Sequence, residues 1–281
     1  MAAHEQEFTV HRMCHALGVP RSGYYAWKRR PLSARDEANR DLLNKITEAF
    51  EHSRCTYGSV RIRQYWLRRG VEFSRLRVAR LMKKAQIIPR KAEKWHPQTT
   101  RQRMGARVAP NLLNQDFSAS RPNEKWVGDI TYIDTQEGWL YLASIMDLFS
   151  RRIVGWAMAD RIDTHLVMRA WNMAVHNRHP NSQLLHHTDR GCQYTSEAYL
   201  QLLEKAQCRI SMSRTGNCYD NSAMESFYAT LKGECAYRQF ATRKEAETQI
   251  FEYIEIWYNR QRMHSSLGYL SPVEFEQSSG H

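Results

Sequence analysis

The chain has 281 residues and a formal net charge of +12, with 24 Lys/Arg against 10 Asp/Glu in residues 1–120 and 17 against 19 in the remainder. The positive field therefore belongs to the first part alone and calls for a polyanion, nucleic acid before membrane. No run of about 18 apolar residues and no apolar leader is present, so neither a transmembrane helix nor a secretory signal is expected.

The six cysteines, at 14, 55, 192, 208, 218 and 235, make no C-x-x-C pair, so neither a zinc ribbon nor a dithiol site is expected. Reduced thiols in a cytosol fit this usage better. His4, His11, Cys14 and His15 match no tight zinc-ligand spacing.

Phe8 to Leu17 reads as a short helix ended at Gly18, followed by a turn and a second helix with a basic end. That is a helix-turn-helix outline within a basic helical region, 1–54. Ala34 to Glu51 is a longer helix with Leu42, Leu43, Ile46, Ala49 and Phe50 on one side. A second, better unit lies in 55–87. The helix from Ser59 offers Val60, Ile62, Tyr65, Trp66 and Leu67 for burial and stops at Gly70. Ser74 caps the next helix, whose packed side is Leu76, Val78, Ala79, Leu81 and Met82. Arg75, Arg77, Arg80, Lys83 and Lys84 are left for DNA, as a major-groove helix requires. Periodicity then disappears, and 88–120, with Pro89, Pro97 and Pro110, reads as a basic linker that can lie along phosphates.

From residue 121 the pattern changes. Lys125–Ile133 alternates as a strand, 139–149 is nearly continuously apolar, and 151–159 completes an antiparallel meander. A helix over 164–177, a strand at 184–188, a helix over 196–206 and a strand at 209–213 follow. The order predicts an α/β fold, a mixed sheet flanked by helices, as a core over 121–240. The next helix is capped by Asn221 or Ser222 and buries Met224, Phe227, Tyr228 and Leu231. Residues 241–281 are a helical extension: a long helix over 243–262 packed on the core, then a capping box at Ser271-Pro272-Val273-Glu274.

Three acids stand at positions where such a fold builds a site. Asp129 lies in the first strand, Asp189 closes the fourth, and Glu225, with 35 residues between it and Asp189, rides the amphipathic helix. Three gathered carboxylates repel one another unless a divalent cation joins them. An oxygen-only set suits Mg²⁺ or Mn²⁺. Two such ions about 4 Å apart serve phosphodiester displacement. Lys232, two turns beyond Glu225, is placed to hold a substrate phosphate. His186, His187 and Cys192 flank Asp189; metal ligation is one reading, and His187 is expected rather to orient the site or a phosphate. Asp134, Asp147, Asp160, Asp163 and Asp220 receive no catalytic role.

Residues 121–275 resemble the integrase-like catalytic core of bacterial insertion-sequence transposases of the two-reading-frame type, specifically the second-frame protein. The carriers are Trp126, Asp129-Ile-Thr-Tyr132, Tyr141-Leu-Ala143, Asp147 through Trp156, and His187 through Tyr194. They continue with Ser213 to Glu234, including Asn217, then Tyr258-Asn259, Arg262, His264 through Gly268, and Ser271 through Phe275. Residues 59–86 resemble the helix-turn-helix segment that precedes that core.

The resemblance implies a ribonuclease-H-like fold with a DDE triad at Asp129, Asp189 and Glu225, and Lys232 at the basic position. It implies cleavage that frees a 3′-hydroxyl at the element's terminal inverted repeats and joining of that hydroxyl to target DNA, without a covalent protein–DNA link. A homo-oligomer on DNA, a first-reading-frame partner or fusion, and a bacterial cytoplasmic, nucleoid-associated location go with it. No heptad run is present that would supply that partner's zipper. The rival reading is a catalytically inactive, transposase-derived DNA-binding regulator; the three intact acids and Lys232 argue against it.

Overall fold

The computed structural model describes residues 1–31, 33–90, 107–214 and 218–279. Five helices come first: α1 (Val10–Ala16), α2 (Arg21–Arg29), α3 (Ala34–His52), α4 (Ser59–Leu67) and α5 (Arg75–Lys84). The core holds β1 (Lys125–Ile133), β2 (Leu140–Asp147), β3 (Ile153–Ala159), α6 (Thr164–Arg178), β4 (Leu185–Thr188), α7 (Glu197–Lys205), β5 (Arg209–Met212) and α8 (Ser222–Glu234). The tail adds α9 (Arg243–Glu252) and α10 (Pro272–Ser279). Among the described residues no helix is long and apolar enough to cross a membrane.

The sheet order is β3-β2-β1-β4-β5. β1, β2 and β3 pair antiparallel, whereas β4 runs parallel to β1 and β5 parallel to β4. This is the ribonuclease-H-like order expected from the sequence, with β1 at the centre. β2 is buried at seven of its eight positions, as a strand covered on both faces must be. One face packs on α6 and α7 through Trp126, Trp171, Tyr199 and their neighbours. Gly155 permits the α6 approach: a Cβ there would lie 2.3 Å from the Ala170 carbonyl oxygen.

The other face belongs to a larger cluster that joins Val127, Leu142 and Met146 to α8, α9 and the tail, and also to Leu42, Ile46, Ile62, Trp66 and Val78 of α3–α5. The helical segment is therefore packed into the core. The Tyr57 hydroxyl accepts from the Met263 amide at 2.8 Å, and Arg68 pairs with Glu274 at 2.7 Å. Of the expected linker 88–120, residues 91–106, with Pro97, lie outside the described residues. Residues 109–115 run along β5: the Leu112 and Leu113 amides donate to the Ser211 hydroxyl, and Leu113 is buried.

Three expectations change. Leu76, assigned to the packed side of α5, is 66% exposed, because α5 turns Val78 and Met82 inward and a residue two places before Val78 falls on the opposite side of the helix. The long helix over 243–262 is α-helical only to Glu252; Tyr253–Tyr258 forms a wider π turn. That turn aims Tyr253 and Trp257 at one carboxylate, Glu234, which accepts from the Tyr253 hydroxyl (2.9 Å) and the Trp257 indole (3.2 Å). Asn221 occupies the N-cap of α8 but makes no capping bond; its amide instead donates to the Gly128 carbonyl at 3.3 Å, tying α8 to β1. The capping box at α10 forms as expected: the Ser271 amide donates to Glu274, and the Glu274 amide to the Ser271 hydroxyl.

Candidate active site

The β1–β4 register pairs Trp126 with His186 and Val127 with His187. The same offset carried two residues further sets Asp129 opposite Asp189, just past the end of β4. Asp129 is half-buried within β1, and its Oδ1 accepts the Ile130 amide at 2.9 Å. Asp189 sits in a tight turn where Oδ1 accepts the Gly191 amide at 2.9 Å. A Cβ at Gly191 would lie 3.0 Å from that oxygen, so a larger residue there would press on the carboxylate and shift it by a few tenths of an ångström. The turn is tied to β5 by Arg190, whose Nε donates to the Ser213 carbonyl at 2.6 Å.

α8 supplies the third wall. Met224, Phe227, Tyr228 and Leu231 are buried, as their spacing predicts. Tyr228 does more than pack: its hydroxyl donates to the Asp129 carbonyl at 2.6 Å and locks the helix against β1. A tyrosine within an apolar stripe was the one signal of this role in the sequence. Glu225 remains exposed beside this stripe, and Lys232 is half-buried.

The electrostatics join these groups. Burial holds the Asp129 carboxyl well above the ordinary carboxylate range, and the neighbouring Asp189 and Glu225 push it further up while Lys232 opposes them. Burial likewise pulls the Lys232 ammonium down, against the pull of Asp129. Asp189, Glu225 and Lys232 thus all act on Asp129. Among the described residues no three His, Cys, Asp or Glu side chains form a closed metal cage. As they stand, the three carboxylates are not drawn together into a metal-holding group.

His187 does not reach a phosphate. It is fully buried, with Nδ1 bonded to the Ser211 hydroxyl (2.8 Å) and Nε2 to that of Ser213 (3.0 Å), so it braces β4 and the chain after β5. His186 is buried against the Tyr199 hydroxyl at 2.9 Å. Cys192 is exposed. Burial pushes the His187 imidazole down to about 4 and that of His186 to about 3. The unfolded chain takes up these protons below pH 6.5, whereas the folded one refuses them until much lower. Their stabilisation is whole above pH 6.5 and is lost as the pH falls toward 4, by roughly 3 kcal/mol for His187. Melting temperatures from pH 7 to 4.5 should fall less steeply in His187→Gln than in the parent; parallel curves would show that His187 does not carry the effect.

Asp220, given no catalytic role, is buried and structural. Arg214 pairs with it at 2.9 Å, and Asn111 and Gln115 donate to it, so Arg214 holds its carboxyl well below the usual range. These bonds fasten the two ends of the loop that leads into α8; residues 215–217, with Asn217, lie outside the described residues.

On α5, Arg75, Arg80, Lys83 and Lys84 are exposed. Arg77 is not: its Nε donates to Asn39 at 2.9 Å and ties α5 to α3. Arg80 and Lys84 line a groove of about 950 Å³ between α3 and α5, together with Arg35 and Arg40.

Residues 119–218 match the family model for an integrase core domain, 206–272 a second model of that description, and 37–95 an HTH-like domain. The chain is 44% identical over 266 residues to the insertion element IS600 uncharacterized 31 kDa protein of Shigella sonnei, covering 94% of this chain and 97% of that protein. It is 40% identical over 279 residues to transposase InsF for insertion sequence IS3A of Escherichia coli K12, covering 98% and 96%. Among solved structures, a chain of the simian T-cell lymphotropic virus intasome superposes with a TM-score of 0.47 at 15% identity, over 70% of this chain and 66% of that one. The HTLV-2 integrase catalytic core superposes with a TM-score of 0.43 at 13% identity, over 57% and 99%.

Proposed function

The chain belongs to the insertion-sequence transposases with an integrase core, and from that premise we propose that Asp129, Asp189 and Glu225 are its catalytic carboxylates. The observation that carries this is Asp129 itself: a carboxyl set in the central strand, opposite a second carboxyl, under the field of a third from α8. A fold keeps such a repulsive group only where something cationic is to be received.

The donor set fits Mg²⁺ or Mn²⁺, since all of its atoms are carboxylate oxygens. Asp129 and Asp189 would hold one ion between them, and Glu225 would complete a second position. When bound, such ions activate the attacking oxygen and stabilise the leaving one. The protein's own work is placement. The Gly191 turn fixes Asp189, and Tyr228 fixes α8 so that Glu225 faces the strand pair. Lys232 offers its ammonium to a phosphate beside the reacting one.

Water first attacks the phosphorus at the element's end, a P–O bond forms and the bond to the 3′-oxygen breaks, leaving a 3′-hydroxyl. That hydroxyl then attacks a target phosphodiester: its oxygen forms the new P–O bond, the bond from that phosphorus to the target 3′-oxygen breaks, and the departing oxygen takes up a proton in place of the one the attacking hydroxyl gives up, leaving as a new 3′-hydroxyl. Arg75, Arg80, Lys83 and Lys84 would contact the DNA, with Arg77 holding α5 in place. Two ends must meet to be joined, which favours a homo-oligomer on DNA. A first-reading-frame partner would add end specificity.

The test incubates the full chain, alone and with its first-frame partner, with a pre-cleaved element end and plasmid, in Mg²⁺ or chelator. Joining is expected in Mg²⁺ only, and Asp189→Asn should bind the end yet not join it. Joining by Asp189→Asn at the parent rate would remove Asp189 from the triad.

A further inference from the structure

α8 has a second polar stripe, turned away from Glu225, and behind it lies a cavity of about 410 Å³. Its lining is cationic and hydroxylic: Arg61 from α4, Arg151 from the β2–β3 turn, Arg262 and His264 from the tail, and Ser226 and Thr230 from α8.

The charges there do not balance. Arg262 is neutralised on its far side, where Nε and a terminal nitrogen hold both oxygens of Glu234 at 2.8–3.0 Å. Glu234 is thereby consumed, since it also accepts from Tyr253 and Trp257. Among the described residues Arg61 and Arg151 have no carboxylate partner; Arg61 only stacks over the Tyr57 ring at 5.6 Å. Both are partly desolvated, and Arg262 disfavours the Arg61 charge while the field of Glu234 favours it without an ion-pair contact.

The fourth member points the same way. His264 is 8% exposed, stacks edge-on with Tyr258 at 4.8 Å, and its buried Nε2 has no hydrogen-bond partner. Arg262, Arg61 and Arg151 all act on this ring, so the four groups share one small space. Two half-buried cations without an ion-pair partner and one orphaned buried ring nitrogen are costly to assemble. A divalent or monovalent oxyanion would satisfy them together.

Resting on the transposase reading, the geometry points to this cavity as a phosphate site that grips the backbone of bound DNA from behind α8. A strand phosphate is favoured over a free anion by what the cavity joins. Arg61 belongs to the first helix of the helix-turn-helix pair, and Ser226 follows Glu225 directly. A backbone phosphate held there would link the DNA-binding segment to the helix that carries the third carboxylate.

The experiment uses the full chain and inorganic phosphate as the probe. Phosphate should raise the melting temperature saturably over chloride at matched ionic strength. Arg61→Gln and Arg151→Gln, each confirmed folded by circular dichroism, should lose this rise, and Arg61→Lys should keep most of it. With a duplex oligonucleotide, the slope of log K against log salt should become shallower by about one in Arg61→Gln. No phosphate-specific rise in the parent, or a full rise in both Gln variants, would overturn the site. A rise lost in the variants with an unchanged salt slope would overturn its assignment to DNA and leave a free-anion site. None of these readouts needs joining activity, so a failed triad and a failed phosphate site are told apart.

Discussion

Asp129→Asn is expected to abolish end joining while making the protein more stable. The loss should be on the order of 10³- to 10⁴-fold, the scale seen when one member of a catalytic unit is removed. The gain has a separate origin. Asp129 carries a carboxylate into a half-buried strand position facing Asp189 and Glu225, and its raised proton affinity reflects that cost. Asparagine keeps an oxygen for the Ile130 amide and removes the charge. Without metal, the variant should unfold about 1 kcal/mol harder than the parent, a rise of about 2–4 °C for a chain of this size. Adding Mg²⁺ should raise the parent's melting temperature and leave the variant's nearly unmoved. A variant that melts below the parent in chelator would show that Asp129 is a stabilising residue and not a strained one.

Arg262→Met should be the most destabilising single change away from the three acids. Glu234 is buried, and Arg262 holds both of its oxygens. Methionine fills the space but leaves that carboxylate without its counter-charge, at a cost of about 3–5 kcal/mol. Thermal unfolding should drop by roughly 10 °C. Adding Glu234→Gln should recover part of the loss, because a neutral amide still accepts from Tyr253 and Trp257. If the double variant is no better than the single one, packing and not charge accounts for the effect.

The strands were readable within one or two residues because each carries its own period. Alternation marks β1, and continuous apolarity marks β2. The three acids of the proposed triad were singled out by strand ends and spacing together with the family resemblance, and the structure brings Asp189 and Glu225 into the field of Asp129. What escaped depends on contacts distant in sequence. Leu76 looks like a core residue by type, yet Val78 and Met82 take the buried side of α5 and leave Leu76 on the other. His187 sits two residues from Asp189 and invites a catalytic role, but two serines 24 and 26 residues later claim both ring nitrogens. Nothing local distinguishes the π turn at Tyr253–Tyr258 from an α-helix; Glu234, far upstream, makes the wider turn useful. Arg77 resembles its exposed neighbours until Asn39 is placed beside it.

The apolar cluster that runs without a break from α3–α5 into the core has a consequence for how such elements diversify. A reader of DNA ends on a tether could be traded between relatives as a cassette. Here such a trade would expose Ile62 and Trp66 on one side and Trp257 and Met263 on the other. On the role proposed for α5, new end preferences would arise by substitution on its solvent side, at Arg75, Arg80, Lys83 and Lys84, while the buried side drifts only in concert with the tail. The recognition surface can be rewritten letter by letter, but it cannot be lifted out.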